Sequence, residues 1–567
     1  MSYTVQKVMN ISLRSITFVL VLVLLVFTAN SLSPQQAEGR DAGLQEMIKL
    51  RIVSMEKAGR VVCSGEFLCG SAVLPEFYKQ RDYQAAWTVN GTPHKDTDSL
   101  LRNIRAAWKD GFTPEAFHLQ RIETLIKKIR GWTTITEPAT LVDFDLLMTD
   151  SCLLYASTLW SGLVNPETIK AEWFIKSRDI DWPDFLNTAL INHTLPASFA
   201  GLRPDHAAYR GLKDSLVPLA NIADEGGWDV ISVSSKLEKG DRGDIITQLY
   251  RRLLATEDAD DRETSLQDVF DDELEKAVKR FQARHGLETD GVVGKNTLAA
   301  LNIPVRDRIR QIEANLERWR WLPHSFGSRY IIVNIAGFEL DVVENGASVL
   351  HMPVVVGKEF TKTPVFDGIM TYLDINPYWN VPHTIAVNEI LPNVKKDPLY
   401  LEKQEYEVLS GWTGTPVIVP PDSIDWTALN SRNFPYRIRQ KPGEKNALGR
   451  IKFMFPNSYA IYLHDTPAKS LFERASRSFS HGCIRVSGPV ELAEYLLQNN
   501  ALWSRDSILK AIAGGENLTV NLPQPIPVFL IYITAWADKD GMLHFRDDIY
   551  GRDKPLMQAL DSLPSIK

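Results

Sequence analysis

The stretch "SFSHGCIRVSG" (478–488) decides how the C-terminal half of the chain is read. It sets a histidine, a glycine and a cysteine in succession, in a chain with 4 cysteines among 567 residues. Cys483 admits three readings: a reactive thiol, a metal ligand, or a small core residue. Gly482 allows backbone to approach a ligand closely. Gly488-Pro489 with Glu491 marks a helix start, running through Gln498. Cys483 is therefore expected on a loop just before a helix N-terminus, where free N–H groups and the positive dipole end favour anions. Upstream, His464 ends the strand-like run "YAIYLH" (459–464). A strand end and a following loop can bring an imidazole beside a thiol. Such a pairing lowers a thiol pKa from about 8.5 toward neutrality and yields a nucleophilic thiolate. The N–H groups of Gly482 and Cys483 are candidate donors to an oxyanion. Zinc is the rival, with His464, His481 and Cys483 as three ligands. No CxxC exists and no fourth ligand stands out, so no metal and no cofactor is expected.

Around this segment the pattern is strand. "YIIVNIAGFELDVV" (330–343) and "ASVLHMPVVVG" (347–357) are rich in β-branched residues, with Glu344-Asn345-Gly346 as a hairpin turn. "MTYLDINPYWNVP" (370–382) and "RIKFMFP" (450–456) continue the signal. Between them, 386–448 is polar and proline-bearing, an insertion over a sheet more than part of it. Trp412 and Trp426 within it are candidates to clamp a ligand, or to pack a small subdomain. A last hairpin, "VFLIYITAWADKDGMLHF" (528–545), turns at Asp538–Gly541.

Earlier regions are helical. From 41 to 235 apolar residues recur at three and four, as in "DFDLLMTDSCLLYASTLWSG" (143–162), which Gly162 stops. Cys152 shares a face there with Phe144, Leu147, Met148, Tyr155 and Leu159, as a core residue does. A second unit at 240–303 carries stripes at Ile246, Leu249, Tyr250 and Leu253, and at Leu274, Ala277, Val278 and Phe281. A third short helix over 295–301 makes a small bundle.

The bulk properties set limits. Hydrophobic residues are 44% and charged residues 23%, an ordinary globular balance over several domains. A net charge of −7 argues against nucleic acid or an anionic membrane surface as the main partner. Lys7 and Arg14 precede an uncharged run at 16–29, short of the about 20 residues a membrane span needs. Residues 1–31 are expected to be a signal peptide, or an N-terminal anchor, and the remainder to be exported. Export favours disulfides, so Cys63 and Cys69 are candidates to pair, leaving Cys483 unpaired and in need of a reason.

"HDTPAKSLFERASRSFSHGCIRV" (464–486) resembles the L,D-transpeptidase signature, a histidine followed at a set interval by Ser-His-Gly-Cys. "GDIITQLYRRL" (243–253) and "FDDELEKAVKRFQARHGLETDGVVGKNTLAALN" (270–302) resemble a peptidoglycan-binding three-helix module. The order of parts is similar to the large Gram-negative members of that family. The resemblance implies a multidomain α + β chain: a helical scaffold (41–235), a peptidoglycan-binding module (240–303), and a mainly β catalytic domain (325–537) with a capping insertion (386–448). A hairpin and tail (538–567) follow.

It also implies a periplasmic enzyme acting on peptidoglycan stem peptides, beside other wall enzymes. Cys483 would be the nucleophile, His464 the base, and Gly482 with Cys483 the oxyanion donors. Arg485 would face a substrate carboxylate, His481 would line the pocket, and Tyr462 would share a face with His464. A backbone carbonyl, by position that of Asp465, would orient the imidazole. The product is expected to be a 3→3 cross-link, with release of D-Ala. Carbapenems are expected to acylate the thiol. A water-resolved L,D-carboxypeptidase and an inert wall-binding protein are the alternatives.

Overall fold

The computed structural model describes residues 34–58, 62–70, 72–131, 137–169, 171–175, 179–260, 268–411 and 415–562. The proposed signal segment and Trp412 lie outside them. Among the described residues no helix is long and apolar enough to cross a membrane.

The scaffold packs its helices around α1 (Pro138–Ser161), which is buried along most of its length. Leu147, Met148, Cys152 and Leu159 join Phe77, Trp87 and Phe117 in one core. Gly162 ends the helix at φ 83°. Two short hairpins interrupt the helices; one turns at Asn90-Gly91, with Thr88 opposite Pro93. The cysteine expectation is corrected here: Cys63 and Cys69 are both free thiols. Cys63 is buried, its Sγ 3.4 Å from Asp143 Oδ1, whereas Cys69 is exposed.

The small bundle comprises α2 (Asp244–Leu254), α3 (Asp272–Arg284) and α4 (Lys295–Leu301), closed over Ile246, Leu249, Leu274, Val278 and Phe281. Asp271 caps α3 by accepting from Glu273 and Leu274 N–H.

The β domain begins earlier than 325. Helix α5 (Val305–Arg320) buries Ile312, Leu316 and Trp319 in the same core as the strands. The sheet contains β1 (Arg329–Asn334), β2 (Glu339–Glu344), β3 (Ala347–Gly357), β4 (Phe366–Ile375), β5 (Ile451–Met454), β6 (Leu463–His464), β7 (Ser478–Ser480), β8 (Ile484–Val486) and β9 (Leu518–Ile531). Their order is β7-β3-β8-β6-β5-β4-β9-β1-β2, and β2 pairs again with β3. The sheet thus closes on itself and has few free edges. The run 330–343 is two strands, broken by a turn where Phe338 takes φ 58°. Asn345 and Gly346 make the β2–β3 turn at φ 49° and 83°.

The insertion is wider than 386–448. Asn376 N–H still bonds Arg450 carbonyl at 2.8 Å, and the chain leaves the sheet just after it. Trp379-Asn380, expected to continue the sheet, pairs with Arg439-Gln440 of the insertion instead. Four strands and short helices enclose a core of their own: Ile390, Leu391, Val394, Val408 and Ile438. Asn446 ties the neck, donating to Pro377 and Lys441 carbonyls at 2.9 and 2.8 Å. Trp426 packs against Tyr436 and donates to Pro421 carbonyl, within the subdomain. The last hairpin straddles the expected 537/538 boundary, pairing Ala535–Ala537 with Leu543–Phe545. A C-terminal helix, α6 (Asp553–Ser562), follows it.

Candidate active site

Cys483 occupies the turn between β7 and β8. Strand β8 separates it from the helix Pro489–Leu497, so the sulfur does not sit at that helix's N-terminus as the sequence suggested. The turn has defined supports. Gly482 takes φ 112°, which side-chain-bearing residues rarely adopt. Ser480 Oγ donates to Cys483 carbonyl at 2.5 Å and accepts from Gly482 N–H at 3.1 Å. Thr363 Oγ1 donates to Gly482 carbonyl at 2.8 Å, and Thr361 Oγ1 to Ser480 carbonyl at 3.0 Å. Gly357 lies so close to Thr361 carbonyl that a Cβ would overlap it. The two braces, Thr361 and Thr363, went unnoticed in the sequence because they are more than 100 residues away and belong to no local pattern.

His464 reaches the site on β6, between β5 and β8. The register sets His464 beside Arg485 on one side and Lys452 on the other. Only Leu463 and His464 of the expected strand 459–464 are strand. Ala460 takes φ 56°, and Asn457 Oδ1 accepts from Tyr459 and Ile461 N–H, which holds a turn. His464 Nδ1 donates to Asp465 carbonyl at 2.5 Å, the orientation expected. This fixes the tautomer that leaves Nε2 unprotonated. The Asp465 side chain points elsewhere, to Arg450 N–H and Lys469.

Tyr462 stands next to both groups. Its ring centroid is 5.7 Å from that of His464, and its hydroxyl and backbone N–H face the Cys483 sulfur. Lys452 Nζ lies 4.2 Å over the same ring. Lys452 was not anticipated; its alternation with Ile451 and Phe453 on β5 is the signal that points it to the polar face.

The electrostatics correct one expectation. Burial lowers the His464 pKa to about 3, and the Arg485 and Lys452 charges push the same way, against the Asp465 and Leu448 carbonyls. Burial raises the Cys483 thiol, opposed by Tyr462, Lys452 and Arg485. At rest the thiol and the imidazole are therefore both neutral. The thiol contacts Ala460 carbonyl at 3.8 Å.

Arg485 pairs with no carboxylate among the described residues, and its Nε is buried without a hydrogen-bond partner. His481 reaches the insertion: its Nε2 bonds Glu389 Oε1 at 2.6 Å, on a π-helical turn. Such turns concentrate at functional sites. Among the described residues no cluster of three metal-ligating side chains stands together.

Residues 328–506 match the family profile described as "L,D-transpeptidase catalytic domain". Residues 242–301 match "Putative peptidoglycan binding domain", and 72–216 match "Scaffold domain". Residues 328–506 are thus an L,D-transpeptidase catalytic domain. A Haemophilus influenzae protein named "Putative L,D-transpeptidase" is 35% identical to it over 250 residues, 44% of this chain. That match spans about half (49%) of the curated relative's length. A solved L,D-transpeptidase structure (residues 123–326) from Xylanimonas cellulosilytica aligns at 16% identity and a TM-score of 0.17. It covers 53% of this chain and 99% of its own, a likeness too low to bear on the fold. The L,D-transpeptidase domain thus contains Tyr462, His464, Gly482, Cys483 and Arg485 together.

Proposed function

We propose that this L,D-transpeptidase joins peptidoglycan stem peptides through a thioester on Cys483, in the periplasm, after export directed by residues 1–31. The observation that carries the mechanism is the His464–Asp465 carbonyl bond, which leaves a neutral ring nitrogen as base on the strand beside the cysteine.

His464 Nε2 takes the thiol proton as sulfur attacks the carbonyl of the third stem residue. Cys483 N–H and the Tyr462 hydroxyl are the proposed oxyanion donors. Gly482 N–H, engaged by Ser480, contributes only when that bond opens. The tetrahedral intermediate breaks its C–N bond, and the departing D-Ala amine takes the proton from the imidazolium. The side-chain amine of a second stem then attacks the thioester and gives its proton to His464. The thiol is released and a 3→3 cross-link remains. Arg485, a half-buried cation with no carboxylate partner among the described residues, is suited to a stem carboxylate.

Incubating the full chain with disaccharide-tetrapeptides tests this. D-Ala release together with dimers supports it, and Cys483→Ala is expected to release none. Trimming without dimers assigns an L,D-carboxypeptidase. Continued D-Ala release by Cys483→Ala rules the thioester out. A carbapenem adduct is expected at Cys483 by intact mass and peptide mapping.

A further inference from the structure

A cavity of about 360 Å³ lies away from the cysteine, at a junction of four parts of the molecule. Its walls come from the scaffold's last helices, from the three-helix bundle, from α5 and from the C-terminal hairpin. That volume falls within the range of small-ligand pockets, about 300–1,000 Å³.

The lining carries an imbalance of charge. Arg252, Arg284 and Arg308 all face the cavity, and each is at least nine-tenths buried, at 3%, 5% and 5% exposure. Among the described residues only Arg284 of the three forms an ion pair, with Asp258, which it grips through Nε at 2.5 Å and through Nη2. Arg252 bonds neutral oxygens, Leu301 carbonyl at 2.9 Å and Thr256 Oγ1 at 3.2 Å. Arg308 likewise bonds Gln311 Oε1 and Ala300 carbonyl, and its Nε is buried with no partner. Trp228 lies 3.8 Å from the Arg252 guanidinium and Phe545 4.5 Å from that of Arg308. These faces offset part of the cost of burial but offer no anion. Burial lowers the two arginines to about 9 and 10, which leaves both charged at neutral pH. His285, stacked between Phe281 and Phe545, is held neutral by burial and by the neighbouring arginines. Asp214 and Glu257 also line the cavity, but at its exposed rim. Among the described residues two buried guanidiniums therefore have no carboxylate within ion-pair distance, although Asp258 acts on Arg252 and Asp547 and Asp307 on Arg308 from further off, in a cavity walled in part by aromatic rings.

We infer that this junction cavity binds a carboxylate-bearing ligand, with Arg252 and Arg308 clasping the carboxylate and Trp228 and Phe545 flanking its body. That the carboxylate belongs to a muramyl peptide of the wall rests on the proposed function; the charge recognition does not. The three-helix bundle then engages its ligand together with scaffold, α5 and hairpin, rather than alone.

Calorimetric titration of the full chain with muramyl dipeptide tests this, with neutral tetra-N-acetylchitotetraose as the control. Arg252→Gln and Arg308→Gln are each expected to weaken dipeptide binding at least tenfold. Met542→Trp, which fills the cavity from the hairpin and leaves both guanidiniums in place, is expected to do the same should a glutamine variant fold poorly. Competition by inorganic phosphate would support recognition by charge. Absence of binding, equal affinity in all the variants, or equal binding of the neutral sugar overturns the inference. Cys483→Ala is expected to bind as wild type. D-Ala release from soluble tetrapeptide is expected to be unchanged in Met542→Trp, which separates failure here from failure of the thioester mechanism.

Discussion

At the scale of single residues, the protonation of His464 governs how the site responds to pH. Its imidazole stays neutral down to about pH 3, so the proposed base is available across the whole physiological range. Acylation of Cys483 is therefore expected to show no acidic limb near 6.5, the ordinary histidine value. Alkylation by iodoacetamide, which needs the thiolate, is expected to keep rising beyond pH 9, since burial holds the thiol up. An inflection near 6.5 in either profile would indicate the ion pair instead. The same group affects stability. Between pH 6.5 and 3 the unfolded chain binds a proton at this histidine that the folded chain refuses, so stability falls as pH falls through that window. Wild type should lose on the order of 3 kcal/mol more than His464→Gln between pH 7 and pH 4, measured by denaturant titration. The residues of the candidate site could be singled out because the tetrapeptide and its upstream histidine are close in sequence. Their protonation was not, because it depends on burial and on Lys452 and Arg485, which strand pairing brings beside them.

At the scale of elements, alternation and turn residues located most strands of the sheet, and Asn345-Gly346 was readable as a turn. The same signal at Asn90-Gly91 marks a scaffold hairpin that the surrounding helical periodicity obscured. Trp379-Asn380 was misassigned because a strand-like composition does not say which sheet a strand joins. The insertion that it belongs to has its own core and a neck fastened by Asn446. Ile438→Ala, at a position 1% exposed, should cost about 2–5 kcal/mol. That loss is expected to stay local: hydrogen exchange should quicken in Tyr406–Leu409 and Arg437–Gln440, while β4 and β9 remain protected. Loss of protection in β4 as well would show that insertion and sheet fold as one unit. The side-chain bond from His481 to Glu389 links this subdomain to the cysteine turn, and both partners are substantially exposed. Glu389→Ala should therefore change stability by less than about 1 kcal/mol. Any effect on D-Ala release beyond that would come from the position of the insertion over the turn.

At the scale of the whole molecule, α5 is the piece that holds the parts in register, although its sequence, "VRDRIRQIEANLERWR" (305–320), looks like an ordinary charged helix. Four of its charges, Arg308, Glu317, Arg318 and Arg320, are buried, and they meet other parts of the fold. Glu317 accepts from Val164 N–H at 2.7 Å, just after the scaffold's central helix. Arg320 donates to Asp110 carbonyl and to the Tyr209 hydroxyl, both in the scaffold. Arg318, 2% exposed, donates to Asp553 Oδ1 at 2.5 Å on α6 and lies over the Tyr532 ring. Thr534 Oγ1 completes the contact by donating to Asp553 Oδ2 at 2.9 Å. Helical spacing cannot disclose such partners, which lie more than 200 residues away in the case of Asp553. Removing one member of a buried ion pair leaves the other uncompensated, so Asp553→Ala is expected to cost about 3–5 kcal/mol. Replacing both partners, in Arg318→Met with Asp553→Leu, is expected to recover much of that loss, because the charge to be buried is gone. Asp397→Ala serves as the contrast: its partner Lys403 is exposed, and the cost should stay below about 1 kcal/mol. Denaturant midpoints followed by tryptophan fluorescence report all three, since Trp319 and Trp321 flank the junction. If Asp553→Ala were no more costly than Asp397→Ala, α6 would be an appendage rather than the clasp that keeps α5 against the sheet.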